Sequence, residues 1–336
     1  YWNDGEGWEP IGPSYYYAFT AEFEGNGHQI RNLYINSFSY DVGLFGFIKN
    51  AELSDFALTG PLTSITGRSD VGILSGSIHD STVSKIYVSG SVLASNTFSK
   101  TGGVAGSIAG TALENVQSAA AIHGTNYTGG VVGFVGPASR ISRALATGAV
   151  IAPTSDVKGG LAGGGNEYEI LNSYWATDTS DQETSPKTNT SYFGALLSEL
   201  QCPTSANNST CTGNGRLYEN WDSDVWDFGS DRQLPGLIMN GVVYRDSDGD
   251  GTLDVNLNTP SVALILTQAG REEATIVEGM GDVTIEAIIS DEDDWMLILS
   301  SGHPTILTCQ PPMSSVTVSP SALMVWLQGI TQFRQL

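Results

Sequence analysis

Apolar residues anchor short strand-like phrases at a spacing close to thirty. Leu53, Val83, Leu113, Ile141 and Ile170 follow one another at steps of 30, 30, 28 and 29. Two residues beyond each anchor stands a polar residue: Asp55, Lys85, Asn115, Arg143 or Asn172. Apolar residues then resume, as in Phe56-x-Leu58 and Ile86-x-Val88. Leu53 to Phe56 is an odd step, whereas one face of a strand repeats at even steps. The strand phase therefore breaks near Ser54-Asp55, which reads as a corner. The pattern predicts that the five anchors stack in one inward column.

A glycine phrase keeps the same beat. Val42-Gly43-Leu44-Phe45-Gly46-Phe47-Ile48 recurs as Val71-Gly72-Ile73-Leu74-Ser75-Gly76, which carries one extra residue. Gly102-Gly103-Val104-Ala105-Gly106, Gly129-Gly130-Val131-Val132-Gly133 and Gly159-Gly160-Leu161-Ala162-Gly163 follow. Taken at 43, 72, 103, 130 and 160, the glycines step by 29, 31, 27 and 30. Periods of this length mark repeat architectures. Rungs stacked at about 4.8 Å, the ordinary strand spacing, need close backbone approach that a Cβ blocks. The expectation is an all-β chain: a parallel β-helix, or β-solenoid, of about five to six rungs.

These glycine phrases resemble the GLUG motif of bacterial surface and secreted proteins. The stretch Phe19-Thr20-Ala21-Glu22-Phe23-Glu24-Gly25-Asn26-Gly27-His28-Gln29-Ile30-Arg31-Asn32-Leu33-Tyr34-Ile35 is similar to the phrase that opens such arrays. The resemblance covers residues 19 to 175. The third to fifth units depart from it, with Ala or Val where the family prefers Leu or Phe. It implies a parallel β-helix of adhesin-like proteins, or the non-catalytic region of some IgA-specific metallopeptidases. It specifies architecture far better than function.

Outside the array the period lapses. Residues 1–18, with Trp2, Trp8, Tyr15, Tyr16 and Tyr17, read as an N-terminal cover for exposed strand edges. An aromatic sugar platform is the other reading of that segment. Residues 176–240 read as a C-terminal cap, in which Trp221, Val225, Trp226, Phe228, Leu234 and Leu237 would close the solenoid. Ser198-Glu199-Leu200-Gln201 fits one helical turn. Cys202 and Cys211 bracket a short polar loop, where a local disulfide would contribute roughly 2–3 kcal/mol in an exported protein. Residues 259–336 begin with alternating stretches around Val262–Leu266, Ala274–Val277 and Val283–Ile289. They read as a partial Ig-like or cadherin-like sandwich that the tail from Trp295 leaves incomplete.

Residues 241–258 contain Asp246-Ser247-Asp248-Gly249-Asp250-Gly251-Thr252-Leu253-Asp254. Ca²⁺ takes six to eight hard oxygens at about 2.4 Å, and Asp at positions 1, 3, 5 and 9 with a carbonyl at 7 supplies most of them. The stretch resembles the EF-hand-like loops of thrombospondin type 3 repeats. That assigns Asp246, Asp248, Asp250, Thr252 and Asp254 as ligands in a calcium-binding linker. Leu257 stands where a bidentate Glu is usual, leaving Asn256, Asn258 or water as substitutes.

Charge sharpens this picture. The 336 residues carry a net charge of −22. Residues 1–175 hold 14 acidic and 8 basic residues, −6, and the remainder hold 22 and 6, −16. That balance repels nucleic acid and anionic membrane and suits an extracellular or cation-binding protein. No run approaches the ~18 apolar residues of a spanning helix. There is no H-E-x-x-H, and no recurring carboxylate cluster for glycosidic proton transfer. His28, His79 and His123 read as turn or surface residues. The chain opens at Tyr1 with neither initiator Met nor signal peptide, so it reads as part of a larger surface polypeptide. The expected function is a non-catalytic extracellular stalk or adhesin segment at a bacterial surface, with cell-surface glycans or proteins as partners. The alternatives are an accessory region of an IgA-protease-like peptidase and a carbohydrate-active β-helix enzyme.

Overall fold

The computed structural model describes residues 2–254, except 154, 156, 187–191, 202–216, 219, 230 and 231. Beyond 254 it describes the strands Leu264–Thr267, Thr284–Ser290, Asp294–Ser301, His303–Leu307 and Ser315–Val318. The chain divides into two units, Tyr1–Asp254 and Val255–Leu336. Cys202, Cys211 and the end of the acidic stretch at 256–258 lie outside the described residues.

The first unit is a stack of rungs, each contributing one strand to each of four parallel sheets. The first rung runs Glu22–Arg31, Tyr34–Asn36, Asp41–Val42 and Phe45–Lys49. Four more rungs repeat it, ending with Arg140–Ala146, Val150–Ile151, Lys158–Gly159 and Ala162–Gly165. Three sheets have five strands each. The fourth, the wide sheet, has eight, because Glu169–Leu171, Ser173–Ala176 and Tyr192–Ala195 extend it past the fifth rung. The β-solenoid thus has about five full turns.

The anchor column forms as its spacing predicts. Leu53 pairs in register with Val83, Val83 with Leu113, Leu113 with Ile141 and Ile141 with Ile170. Phe23 adds a sixth member at the first rung. A second column on the neighbouring sheet runs Ile35, Ile65, Val92, Ile122 and Val150, all buried. The corner is real as well. Asp55, Lys85, Asn115, Arg143 and Asn172 all take the left-handed conformation, with φ between 47° and 60°. That kink turns the anchor and the next-but-two residue, Leu53 and Phe56 for example, to the same interior. Asp and Asn adopt this region readily, whereas Lys85 and Arg143 do so at some cost.

The glycines fall in a slightly different register from the one their spacing gave. Gly102, Gly129 and Gly159 pair with one another, so these and Gly72 are the equivalent positions, not Gly103, Gly130 and Gly160. The first rung has two residues between Val42 and Phe45, and the later rungs have three in that turn. The first rung is therefore the short one. The closing glycine of each phrase does have a steric reason. A Cβ on Gly133 would run into the Thr101 amide nitrogen of the rung before it, and one on Gly106 into that of Val71.

Both ends are covered. Residues 7–19 lie along the open edge of the first rung: Trp8 N–H donates to the Tyr34 carbonyl, Ile11 N–H to Leu44, and Gly46 N–H to Ile11. At the other end the Trp175 ring packs on Gly160, its Nε1–H donates to the Gln182 carbonyl, and Gly160 N–H donates to Thr184. Among the described residues helix is confined to single turns, of which Leu197–Leu200 occupies the site expected for one.

The aromatic group expected to close the last rung does something else. Trp221, Trp226, Leu234 and Leu237 pack with Tyr218, Met239 and Tyr244 against the outer face of the wide sheet, through Ala57, Tyr87, Leu145 and Tyr174. A three-stranded antiparallel sheet, Trp226–Asp227, Gly236–Met239 and Val242–Tyr244, lies in this layer. It reaches back to the first rung, where Tyr244 Oη–H donates to the Gly27 carbonyl. The layer is a lateral flank. The reason lies in the column Ala57, Tyr87, Gln117, Leu145 and Tyr174, whose outward positions are mostly apolar and need a cover.

The second unit contains a three-stranded antiparallel sheet and a separate antiparallel pair, Leu264–Thr267 with Ser315–Val318. Strands extend through 294–307, where alternation is poor. Trp295 to Leu299 is a continuous apolar run, which a period-of-two test does not register.

Gly133→Ala should destabilise the protein by about 1–3 kcal/mol, the range for forcing one extra methyl into a packed site. Thermal melting checks this, and an unchanged midpoint contradicts the close stacking of the rungs.

Candidate metal centre

The strand Val242–Tyr244 ends the flank sheet and delivers the chain to Arg245 and the acidic loop. Arg245 is buried, donates from Nη1 to the Leu234 carbonyl at 3.0 Å, and ion-pairs through Nη2 with Asp227. The next residue, Asp246, is fully buried. Gly249 and Gly251 have φ of 74° and 89°, values open to glycine, and they fold the loop back on itself.

The loop brings three carboxylates together. Oxygens of Asp246, Asp248 and Asp250 all lie within 4.8 Å of one another. Backbone amides orient each one: Gly249 N–H donates to Asp246 Oδ1 at 2.8 Å, Asp250 N–H to Asp248 Oδ1 at 3.2 Å, and Thr252 N–H to Asp250 Oδ1 at 2.7 Å. Asp254 stands apart from the three. Its Oδ2 accepts from Ser247 N–H at 3.0 Å while its own N–H donates to the Arg245 carbonyl, so it ties the neck of the loop. Thr252 is exposed and meets the group through its amide.

The loop is seated on the solenoid and is no free linker. Tyr87 Oη–H, from the wide sheet of the third rung, donates to Asp246 Oδ2 at 3.1 Å, and Gly251 N–H donates to the same oxygen at 3.0 Å. A Cβ placed on Gly249 would meet Thr147 Cβ at 3.3 Å, and one on Gly251 would meet the Ala119 carbonyl at 3.4 Å. Burial pushes the Asp246 carboxyl up to about 7, and the Asp250 charge adds to this against the bonds from Gly251, Tyr87 and Gly249. Burial also raises the Tyr87 hydroxyl well above its ordinary value, with the Asp246 charge reinforcing it. No ion pair among the described residues involves this carboxylate group; the adjacent residue Arg245 is engaged with Asp227 and Leu234.

The donor set fits a hard divalent cation: clustered carboxylate oxygens on a glycine-bent loop, with no sulfur or imidazole. The solenoid wall also carries orphaned polar groups. The Thr147 hydroxyl and both amide atoms of Gln117 are buried without a hydrogen-bond partner. Gln117 sits on the wide sheet between Asn115, which accepts from Trp226 Nε1–H, and Ala119, which lies against Gly251.

A second polar column escaped sequence reading. Asp41, Asp70, Lys100 and Tyr127 pair in register across four rungs. Asp70 Oδ2 accepts from Lys100 Nζ and Ser107 Oγ, both at 2.9 Å, and Ser77 Oγ–H donates to Asp41 Oδ1 at 2.5 Å. Burial holds Asp41 above the ordinary carboxylate value, the Ser77 bond opposes this, and the Asp70 charge adds to it. Steps of 29, 30 and 27, the rung period itself, would have found the column. Its carboxylates are spent on Ser and Lys, which makes it a ladder between rungs. His79 packs edge-on to Phe47 at 4.7 Å, and burial lowers its affinity for a proton. His28 bonds the Gly25 carbonyl through Nδ1 at 2.8 Å.

Fold and loop together define a parallel β-helix with an aspartate-rich loop docked on its side. Among known proteins, a stretch of 127 residues is 36% identical to halomucin of Haloquadratum walsbyi. The match covers 36% of this chain and 1% of halomucin's length. No family model and no solved structure matches the chain.

Trp226 is the anchor of the flank, 1% exposed and hydrogen-bonded to Asn115 Oδ1 at 3.1 Å. Trp226→Ala should cost about 3–5 kcal/mol in urea denaturation. A change under about 1 kcal/mol would mean the flank is not a packed layer.

Proposed function

We propose that this chain is a non-catalytic segment of an extracellular stalk or adhesin at a bacterial surface, carrying a calcium site on its side. The observation that carries the reading is the convergence of Asp246, Asp248 and Asp250 on a loop fixed to the solenoid wall. A rung stack is stiff and extends along one axis, which suits a spacer or display element. The partial likeness to halomucin is compatible with an extracellular stalk role. No helix among the described residues is long and apolar enough to cross a membrane. Cell-surface glycans or proteins are the partners in this reading, and the Cys202–Cys211 bridge belongs to it as an exported protein's local disulfide. A GLUG-type adhesin remains the family that the glycine phrases support.

When bound, Ca²⁺ would supply positive charge to a group of carboxylates that otherwise repel one another. Asp246, Asp248 and Asp250 would hold it from their carboxylate oxygens. Only one of the three is buried, and the affinity expected is that of weak extracellular sites, on the order of 10⁻⁴ M. Titration calorimetry of the purified chain with Ca²⁺ tests this directly. Heat of binding in the parent protein, lost in Asp248→Ala, supports the site. No heat at millimolar Ca²⁺ reduces the loop to an acidic spacer.

A further inference from the structure

The acidic loop and the flank sheet are consecutive in the chain, and both rest on the same wall. Val242–Tyr244 is the last strand of the flank, and Asp246 follows it by two residues. The loop's one fully buried carboxylate has its side-chain partner on the solenoid, at Tyr87. Thr147 and Gln117, both fully or almost fully buried on the wall, have unpartnered polar atoms. Thr147 lies against Gly249 of the loop, and Gln117 pairs in register with Tyr87, whose hydroxyl reaches Asp246. Polar groups left without partners are costly in a buried place, so the interface is incomplete as a purely protein seam.

From this we propose that divalent-cation binding at Asp246, Asp248 and Asp250 and docking of the flank on the wide sheet are one coupled equilibrium, with Tyr87–Asp246 as the link. The proposal rests on the cation reading given above and goes further by assigning the site a structural effect. Acidic groups crowded on the wall oppose the seating of the loop when no cation is present. A bound cation reverses that repulsion and holds Asp246 under Tyr87. The strand two residues upstream is then held as well. Coupling is reciprocal: whatever factor the cation adds to docking, docking adds to cation affinity. The flank is accordingly a cation-dependent cover for the outward face of Tyr87, Leu145 and Tyr174.

Hydrogen exchange on the full chain, with and without millimolar Ca²⁺, reads this out. Exchange within Trp226–Asp227 and Gly236–Tyr244 should slow at least tenfold with Ca²⁺, while the strand Ala105–Ala109, on a different sheet of the solenoid, stays unchanged. Asp248→Asn alters an exposed ligand without touching the wall, and it should abolish the slowing. Tyr87→Phe keeps the ring and removes the O–H that reaches Asp246, and it should cut the slowing below threefold even at saturating Ca²⁺. Unchanged exchange at Ala105–Ala109 certifies that each variant is folded. Should calorimetry show Ca²⁺ binding while flank exchange stays constant, the coupling is wrong and the cation site stands. Full tenfold slowing in Tyr87→Phe likewise overturns the proposal. Absence of binding heat in the parent removes the cation site and the coupling together.

Discussion

Every feature of the first unit follows from one constraint: each rung must satisfy its backbone amides and carbonyls on the rung before and the rung after. That requires the chain to return to the same place, one strand spacing along, every thirty or so residues. Identical positions then stack, so an apolar residue at one step of the period makes a column and a polar one makes a ladder. The columns through Leu113 and through Ile122 are the first kind. The corner residues from Asp55 to Asn172 and the Asp41–Asp70–Lys100 series are the second. Glycine enters where a turn brings one rung's backbone onto its neighbour's, as at Gly133.

The same constraint creates surfaces that need covering. Open edges at both ends are met by residues 7–19 and by the segment around Trp175 and Gln182. The wide sheet has a further need, because Ala57, Tyr87, Leu145 and Tyr174 make its outer face apolar too. The flank answers it with Trp221, Trp226 and Leu237. Its docking uses the corner ladder as well: Trp226 Nε1–H donates to Asn115 Oδ1, and Trp221 Nε1–H donates to the Asn172 carbonyl at 2.7 Å. Residues that turn the rung also seat the second layer. The acidic loop inherits its rigid seat from this arrangement.

The period, the inward column and the corner were all legible in sequence, because stacking repeats local geometry at a fixed interval. The register of the glycines was less so. A Gly-Gly pair offers two equivalent choices, and only strand pairing selects Gly102 over Gly103. Placement of the flank was missed for a different reason. Trp221 and Trp226 announce burial, but their hydrogen-bond partners Asn172 and Asn115 lie 49 and 111 residues upstream, and the clue was in the array itself. Phe56-Ala57-Leu58 and Ile86-Tyr87-Val88 are apolar on both sides of the strand, which is the mark of a sheet buried on both faces. Asp246, Asp248 and Asp250 could be read as a group from their spacing. Asp254 could not be separated from them, since its role at the neck depends on how Ser247 and Arg245 turn. Tyr87 and Gln117 carry no motif at all and become visible only once the loop is seated.

A crystal structure of the full chain grown in millimolar Ca²⁺ tests the central functional claim most directly. The account predicts one cation bonded by carboxylate oxygens of Asp246, Asp248 and Asp250 at about 2.4 Å, with Asp246 still under Tyr87. Finding only solvent among those three carboxylates would contradict it.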